Sequence, residues 1–187
     1  LREWPYERNA GLGGSGAWAL LNGRDGVSAE LDLGVGWQDP AVISETGLCV
    51  WRSGPRPDLE FKGDGAFLRG RMALFWTGAS HNTPSVVMNA RNLDAIARAG
   101  QAARDAAWAS SLEGLAGAVR LSYGEQRAEG MDPLPEAVAG VKPLAMKYCG
   151  GGFGGYALYL CASAADRDHL CVQPGFRPIE PYVLSGR

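Results

Sequence analysis

Two glycine-rich segments are the clearest candidates for chemistry in this chain, because glycine lets a backbone come close to a ligand. The first is residues 11–17, GLGGSGA, which lead into an apolar stretch, and the second is residues 149–155, CGGGFGG, which lead into another apolar run. A glycine loop followed by the start of a helix is a common way to hold phosphate groups. The two segments therefore predict a nucleotide or another phosphorylated ligand.

The first segment satisfies the dinucleotide-binding pattern G-x-G-x-x-G through Gly11, Gly13 and Gly16, and Asp39 follows at about the distance of the usual acidic residue. Its surroundings differ from that site, because no apolar strand precedes the loop and the apolar stretch after it is too short for a crossover helix. No G-x-x-x-x-G-K-[ST], H-R-D or D-F-G sequence occurs. P-loop and protein-kinase sites are therefore excluded, and another kind of phosphate loop remains.

Three segments, taken in order, resemble motifs of the GHMP family of small-molecule kinases. They are residues 11–17, the GWQDP sequence of residues 36–40 and the KYCGGGFGG sequence of residues 147–155. They look like the second motif, the catalytic-aspartate segment and the third motif of that family. GWQD and the TGASH sequence of residues 77–81 are most similar to the sugar-kinase branch that contains fucokinase and the heptose-phosphate kinases.

The resemblance implies phosphoryl transfer from ATP with Mg²⁺ as cofactor. Asp39 would accept or orient the proton of the attacking sugar hydroxyl, since such enzymes act mainly by positioning groups and stabilising charge. Ser15 is implied as a Mg²⁺ ligand. Family members also supply a glutamate to Mg²⁺ from this region, and Glu30, the glutamate between Ser15 and Asp39, is the candidate for that role. The residues implied to bind nucleotide or phosphate are Gly11, Gly13, Gly14, Ser15, Gly16, Gly150, Gly151 and Gly152. The candidate sugar contacts are Trp37, Gln38, Ser80 and His81.

Each of these residues also has an ordinary structural explanation. Glycine loops are more often turns than phosphate sites, Asp39 before Pro40 suits a turn, and Trp37 suits a hydrophobic core. His81 suits an exposed or helix-capping position, and a lysine such as Lys147 is usually solvated rather than bound to phosphate.

The function implied is an ATP-dependent sugar kinase acting on a hydroxyl, by resemblance the anomeric one, of a free or phosphorylated sugar. Its partners would be a small sugar and ATP. A non-catalytic sugar- or nucleotide-binding protein of the same fold is the first alternative. A nicotinamide-dependent enzyme ranks third.

Composition restricts the class of protein further. The chain has 187 residues, of which 46% are hydrophobic, so it can form a proper core. Its net charge of −2 and scattered basic residues predict no nucleic-acid partner. No run approaches a membrane span and no signal-peptide core is visible, so we expect a cytoplasmic protein with no membrane partner. The four cysteines lack zinc-site spacing, and a chain of this size with no visible secretory signal favours buried or incidental thiols over a disulfide framework.

Hydrophobic periodicity and turn residues predict the elements that position these motifs. A short helix is expected over residues 17–21, ending at Asn22-Gly23, and short antiparallel strands within residues 41–68. Later in the chain, the pattern predicts a strand at 72–76, helices over 84–104 and 106–129, a strand at 156–160, a short helix at 164–170 and a last strand.

The predicted fold is α+β, and the resemblance implies a GHMP kinase-like protein of two lobes. Residues 1–68 would be a partial N-terminal lobe with the phosphate loop and catalytic aspartate. Residues 69–187 would be a C-terminal lobe, a ferredoxin-like α/β sandwich with the third motif. Family members carry several strands before the first glycine loop and a longer helical region after it, so the N-terminal lobe is expected to be truncated.

Overall fold

The computed structural model of the protein describes residues 12, 14–32, 36–52, 54, 56–80 and 91–183. The described residues fall into two units. The smaller unit comprises Leu12–Ala66 and the residues from Pro181 on, and the larger unit comprises Phe67–Glu180. Helices and strands occur in both, so the predicted α+β class is confirmed. The assignment of residues 1–68 and 69–187 to two kinase lobes stays a prediction.

Three short helices begin the smaller unit: α1 (Gly14–Leu21), α2 (Gly26–Asp32) and α3 (Gln38–Ile43). Helix α1 starts three residues earlier than predicted and ends where Asn22-Gly23 predicted. Gly23 has a φ of 65°, its N–H donates to the Leu20 carbonyl, and the Arg24 N–H donates to the Ala19 carbonyl. This pair of bonds is a Schellman motif, which needs a left-handed residue and therefore favours glycine.

A two-stranded antiparallel hairpin follows, formed by β1 (Leu48–Arg52) and β2 (Asp58–Gly63), with a bulge between Val50 and Trp51. The strands predicted within residues 41–68 are confirmed for this hairpin and wrong for residues 41–43, which belong to α3. Asp39 and Pro40 explain the difference. Both suit the first turn of a helix, where a carboxylate meets the positive dipole end and proline loses no backbone bond.

The larger unit contains a four-stranded sheet formed by β3 (Met72–Trp76), β4 (Ala145–Tyr148), β5 (Tyr156–Leu160) and β6 (Phe176–Ile179). The strand order is β4-β5-β3-β6, and every neighbouring pair is antiparallel. Helices α4 (Leu93–Trp108) and α5 (Leu112–Ala128) lie between β3 and β4 in sequence, and α6 (Ala164–Cys171) lies between β5 and β6. This connectivity is the split βαβ pattern with a doubled first helix, so the predicted ferredoxin-like sandwich is confirmed.

Two details of this unit differ from the predicted elements. Strand β4 was not expected, because its sequence AMKY consists mainly of helix-forming residues, and pairing with β5 makes it a strand. The helix expected over 106–129 is interrupted after Trp108, where Ser110 adopts a φ of 50° and the Ser111 side chain caps α5 at the Gly114 N–H. Residues 84–90 of the other predicted helix lie outside the described residues.

An aromatic cluster forms the centre of the larger unit's core. The rings of Phe75, Tyr159 and Phe176 lie within 4.6 to 5.9 Å of each other, measured between centroids. Within this cluster Tyr159 is fully buried, as is the neighbouring Leu170. This packing joins three strands and α6 and gives the sheet a rigid centre. Across the described part of the chain, every helix is too short or too polar to cross a membrane.

Candidate functional site

The first glycine-rich segment forms the beginning of α1. Gly14, Ser15 and Gly16 have helical backbone, whereas Gly11 and Gly13 lie outside the described residues. The first N–H groups of any helix have no partner within the helix and lie at its positive end. Gly14, Ser15 and Gly16 therefore lie at the positive end of a helix, and their assignment to phosphate binding stays a prediction.

Gly16 also has a packing role, because α1 crosses α3 at this residue. A Cβ atom on Gly16 would lie 3.1 Å from the Cα, Cβ and Cδ atoms of Pro40, and one on Gly26 would lie 2.9 Å from the Pro40 Cβ. Pro40 is fully buried. The two glycines let α1 and α2 come close to this proline, which joins the first turn of α1 to the first turn of α3.

Asp39 and Gln38 occupy the first turn of α3, and both side chains are exposed. Asp39 precedes the buried Pro40, so the Gly16–Pro40 contact holds its backbone beside the α1 crossing. A carboxylate on the first turn is stabilised by the helix dipole. The structure thus brings the glycine-rich helix start and the predicted catalytic aspartate into one arrangement within the smaller unit.

Trp37 is buried, with 7% of its surface exposed. Its ring meets that of Trp51 edge-on, at 6.3 Å between centroids and an interplanar angle of 66°. This contact fixes α3 on the hairpin. The ordinary explanation of Trp37 as a core aromatic therefore has direct support, while its predicted contact with a sugar stays a prediction.

The predicted Mg²⁺ ligands, Ser15 and Glu30, belong to α1 and α2. Glu30 is buried, with 7% of its surface exposed. Within the described ranges, no group of three or more His, Cys, Asp or Glu side chains is arranged to hold a metal ion. Magnesium commonly uses one or two protein groups together with substrate phosphates, so a complete protein cage is not what this chemistry requires. The two ligand assignments stay predictions.

The second glycine-rich segment connects β4 to β5 and therefore precedes a strand rather than a helix. Gly150, Gly152, Phe153, Gly154 and Gly155 all have positive φ angles. Such angles are strained for residues with a Cβ, which explains the number of glycines. Phe153, at 56°, is the non-glycine residue that bears this strain, a feature often found at binding sites.

The glycines of this loop divide into a packed pair and an accessible pair. A Cβ on Gly152 would overlap the Met131 thioether, and one on Gly154 would lie 2.9 Å from the Ala79 carbonyl oxygen. Gly150 is exposed, and a Cβ on Gly151 would meet open space. Of the predicted phosphate-binding residues in this loop, Gly150 and Gly151 are accessible, whereas Gly152 has a packing role.

The TGAS sequence of residues 77–80 lies against the same loop. The Thr77 N–H and hydroxyl both donate to the Gly155 carbonyl, at 3.1 and 2.7 Å, and the Gly155 N–H donates to the Ala79 carbonyl at 2.6 Å. The structure therefore brings the predicted sugar contact Ser80, which is exposed, next to the glycine loop. His81 lies outside the described residues.

A cleft of about 330 Å³ lies beside this loop in the larger unit. Sequence reasoning did not find it, because its walls come from four separate parts of the chain. The lining residues are Phe75, Thr77, Ala79, Gly130, Asp132, Pro133, Leu134, Pro135, Tyr148, Phe153 and Gly154.

Three tyrosine hydroxyls hold the wall of the cleft formed by residues 131–135. Tyr148 donates to the Asp132 carbonyl and Tyr159 donates to the Pro135 carbonyl, each at 3.1 Å, while Tyr123 accepts from the Leu134 N–H at 2.7 Å. Burial raises the pKa of both Tyr148 and Tyr159. An ordinary tyrosine is already protonated at neutral pH, so both hydroxyls carry the protons that these bonds need.

Gln126 secures the strand that leads into the second glycine loop. Strand β4 is at the edge of the sheet, and the buried Gln126 amide accepts from the Tyr148 N–H at 2.9 Å and donates to the Tyr148 carbonyl at 3.1 Å. The side chain thus replaces a neighbouring strand at this residue. On the adjacent residue, burial lowers the pKa of the Lys147 ammonium, which differs from the freely solvated lysine expected.

Comparison with known proteins identifies no family. No protein-family model matches the chain, and no curated protein matches it. Among solved structures, the chain is similar to mevalonate kinase from L. major, crystallised in complex with R-mevalonate, at 18% sequence identity and a TM-score of 0.48. The match covers 71% of this chain and 45% of that one, so the chain spans less than half the length of that kinase. A likeness of this degree assigns neither family nor activity.

Proposed function

We propose that this chain acts as a phosphotransferase of the GHMP type, which uses ATP and Mg²⁺ to phosphorylate a sugar hydroxyl in the cytoplasm. The observation that carries the proposal is the contact of Gly16 with Pro40. It joins a glycine-rich helix start, suited to phosphates, to the helix turn that carries Asp39. Phosphoryl transfer needs both a cradle for phosphate and a group that orients the attacking hydroxyl.

Each residue then has a defined role. The N–H groups at the start of α1 bind phosphate oxygens, and Asp39 accepts the hydroxyl proton as the sugar oxygen bonds to phosphorus and ADP leaves. Magnesium, when bound, neutralises phosphate charge, and Ser15 and Glu30 would hold it. The resemblance assigns phosphate contact to the accessible residues Gly150 and Gly151.

The substrate contacts are the finer part of the proposal. Gln38 is exposed beside Asp39 and can form hydrogen bonds with sugar hydroxyls. The buried Trp37 instead packs against Trp51 and positions the start of α3. The family resemblance suggests Ser80 and His81 as further sugar contacts. It also suggests the anomeric hydroxyl as the group that accepts the phosphate. The proposed acceptor is a free or a phosphorylated sugar.

The test is release of ADP from Mg-ATP in the presence of fucose, free hexoses and heptose phosphates, with products identified by mass. We expect a sugar-dependent signal that Asp39→Asn reduces by about 100-fold or more, the usual contribution of a positioned base. Asp32→Asn, which removes another exposed carboxylate of the smaller unit, is the matched control and should keep full turnover. Wild-type turnover in Asp39→Asn would remove Asp39 from the mechanism.

Absence of ADP release across the panel would contradict the kinase proposal. If ATP or a sugar still bound under those conditions, the chain would be a non-catalytic binding protein instead.

A further inference from the structure

We infer that the cleft beside the second glycine loop binds an uncharged polyhydroxyl compound, a free sugar rather than a sugar phosphate or sugar acid. The inference rests on the proposed function in one respect: the bound sugar is the phosphate acceptor only if the protein is a kinase. The binding itself is a property of the larger unit alone.

The first argument is size. A cleft of about 330 Å³ is at the lower end of the range for small-molecule sites, which suits a single sugar ring. Its walls are held in place before a ligand arrives, because the tyrosine hydroxyls fix residues 131–135 and Gly155 fixes Thr77. A preformed wall loses less freedom on binding and therefore favours affinity.

The second argument is charge. Among the described residues that line the cleft, the acidic side chain is Asp132, and none is an arginine or a lysine. Protein sites for phosphate or carboxylate groups use arginine, lysine, helix N-termini or the backbone N–H groups of a glycine loop. The second glycine loop contributes Phe153 and Gly154 to the wall, whereas Gly150 and Gly151, the proposed phosphate contacts, are not among the described lining residues. Arg127 influences Tyr148 electrostatically but is not part of the wall. An anionic ligand would therefore meet a carboxylate, and neither arginine nor lysine occurs among the described residues of the wall.

The third argument is the kind of surface presented. Phe75, Phe153 and the two prolines provide apolar area suited to the C–H face of a sugar ring, while the exposed Asp132 carboxylate can accept hydrogen bonds from two hydroxyls. The Thr77 hydroxyl donates a hydrogen bond to the Gly155 carbonyl, so its oxygen lone pairs can accept a hydrogen bond from a ligand hydroxyl. Apolar area with a few acceptors matches a polyol better than an anion.

The experiment measures sugar binding by calorimetry in the absence of ATP. Two matched pairs are compared, mannose with mannose 6-phosphate and glucose with glucose 6-phosphate, and fucose is measured by itself. We expect at least one free sugar to bind, and to bind about 10-fold more tightly than its phosphate, as one unfavourable charge contact predicts. Amide NMR shifts at Thr77 and Gly154 should report the same binding. No binding by any free sugar, or tighter binding of the phosphates, would overturn the inference.

Charge reversal supplies the sharper test. Asp132→Lys should remove the preference for the free sugar or invert it, and Asp132→Asn should weaken free-sugar binding by about 10-fold through loss of a charged acceptor. Glu136→Lys changes the same charge on an exposed residue outside the wall and should leave the preference unchanged. An unaltered preference in Asp132→Lys would contradict the assignment.

The two proposals can fail separately. Preferential binding of free sugars without ADP formation would refute the kinase and keep the cleft assignment. Phosphorylation of a sugar phosphate that binds better than its free sugar would support the kinase and refute the cleft assignment.

Discussion

Gly16 and Pro40 meet so closely that a Cβ atom on the glycine would lie 3.1 Å from three atoms of the proline. The contact joins the start of one helix to the start of another, and Asp39 stands next to the proline. A glycine that resembles part of a phosphate loop is therefore also required by helix packing. Stability and activity measurements can separate these two roles.

Replacing Gly16 with alanine should destabilise the smaller unit. The added methyl must displace the buried Pro40, and overpacking of this kind costs about 1–3 kcal/mol. Gly26→Ala should have a similar effect through the same proline. Unfolding by urea measures the free energy. Gly124→Ala in α5 is the control, because its Cβ meets nothing within 4 Å and alanine favours a helix, so this variant should unfold at equal or higher urea. Equal stability of Gly16→Ala and wild type would contradict the packing role.

Gly152→Ala and Gly151→Ala should differ sharply. Gly152 has a φ of 77° and no room beside Met131, so alanine there should cost at least about 2 kcal/mol. At Gly151, alanine meets open space and should leave the unfolding free energy within about 0.5 kcal/mol. Loss of sugar-dependent ADP release in the stable Gly151→Ala variant would locate a ligand contact at this residue. A destabilised Gly151→Ala variant would contradict the assignment of Gly151 to the accessible glycines of the loop.

Removing the Gln126 amide should weaken the edge of the sheet. Gln126→Ala leaves a buried N–H and a buried carbonyl of Tyr148 without their partner, at a cost of about 2–4 kcal/mol for the two groups. Gln101→Ala is the matched control, because its exposed amide donates to the Asp105 side chain on the same helix, and the change should alter stability by less than about 0.5 kcal/mol. Hydrogen exchange at Tyr148 would show whether the effect is local. Protection unchanged from wild type would refute the pairing.

The stability of the larger unit should fall as the pH rises above about 10, the pKa of a tyrosine in an unfolded chain. Burial raises the pKa of Tyr159 in the folded state, so the unfolded chain loses this proton first and is favoured at high pH. Protonated Tyr159 contributes its full stabilisation of the folded state below pH 10, and this stabilisation is lost as the pH rises toward the pKa of Tyr159 in the folded protein. Tyr159→Phe should flatten this dependence and should lower stability at pH 7 by about 1 kcal/mol, because the Pro135 carbonyl loses its donor. Urea unfolding between pH 8 and 11 provides the measurement, and an identical slope in the variant would exclude Tyr159 as the titrating group.

Local sequence signals were sufficient for several elements. Asn22-Gly23 predicted the end of α1, the apolar runs predicted β3 and β5, and the short helix expected at residues 164–170 is α6. These features depend on neighbouring residues only, through left-handed glycine, hydrophobic patterning and helix capping. The predicted order of elements after residue 69 likewise indicated an α+β sandwich, although it lacked β4.

Tertiary contacts decided the rest. The AMKY sequence became β4 because β5 and Gln126 pair with its backbone, a partnership that no local signal contains. Glycines that look equivalent in sequence acquired different roles, since Gly16 meets Pro40 while Gly151 meets open space. The cleft combines residues from separate parts of the chain, so its negative charge became visible only once the fold had brought those residues together.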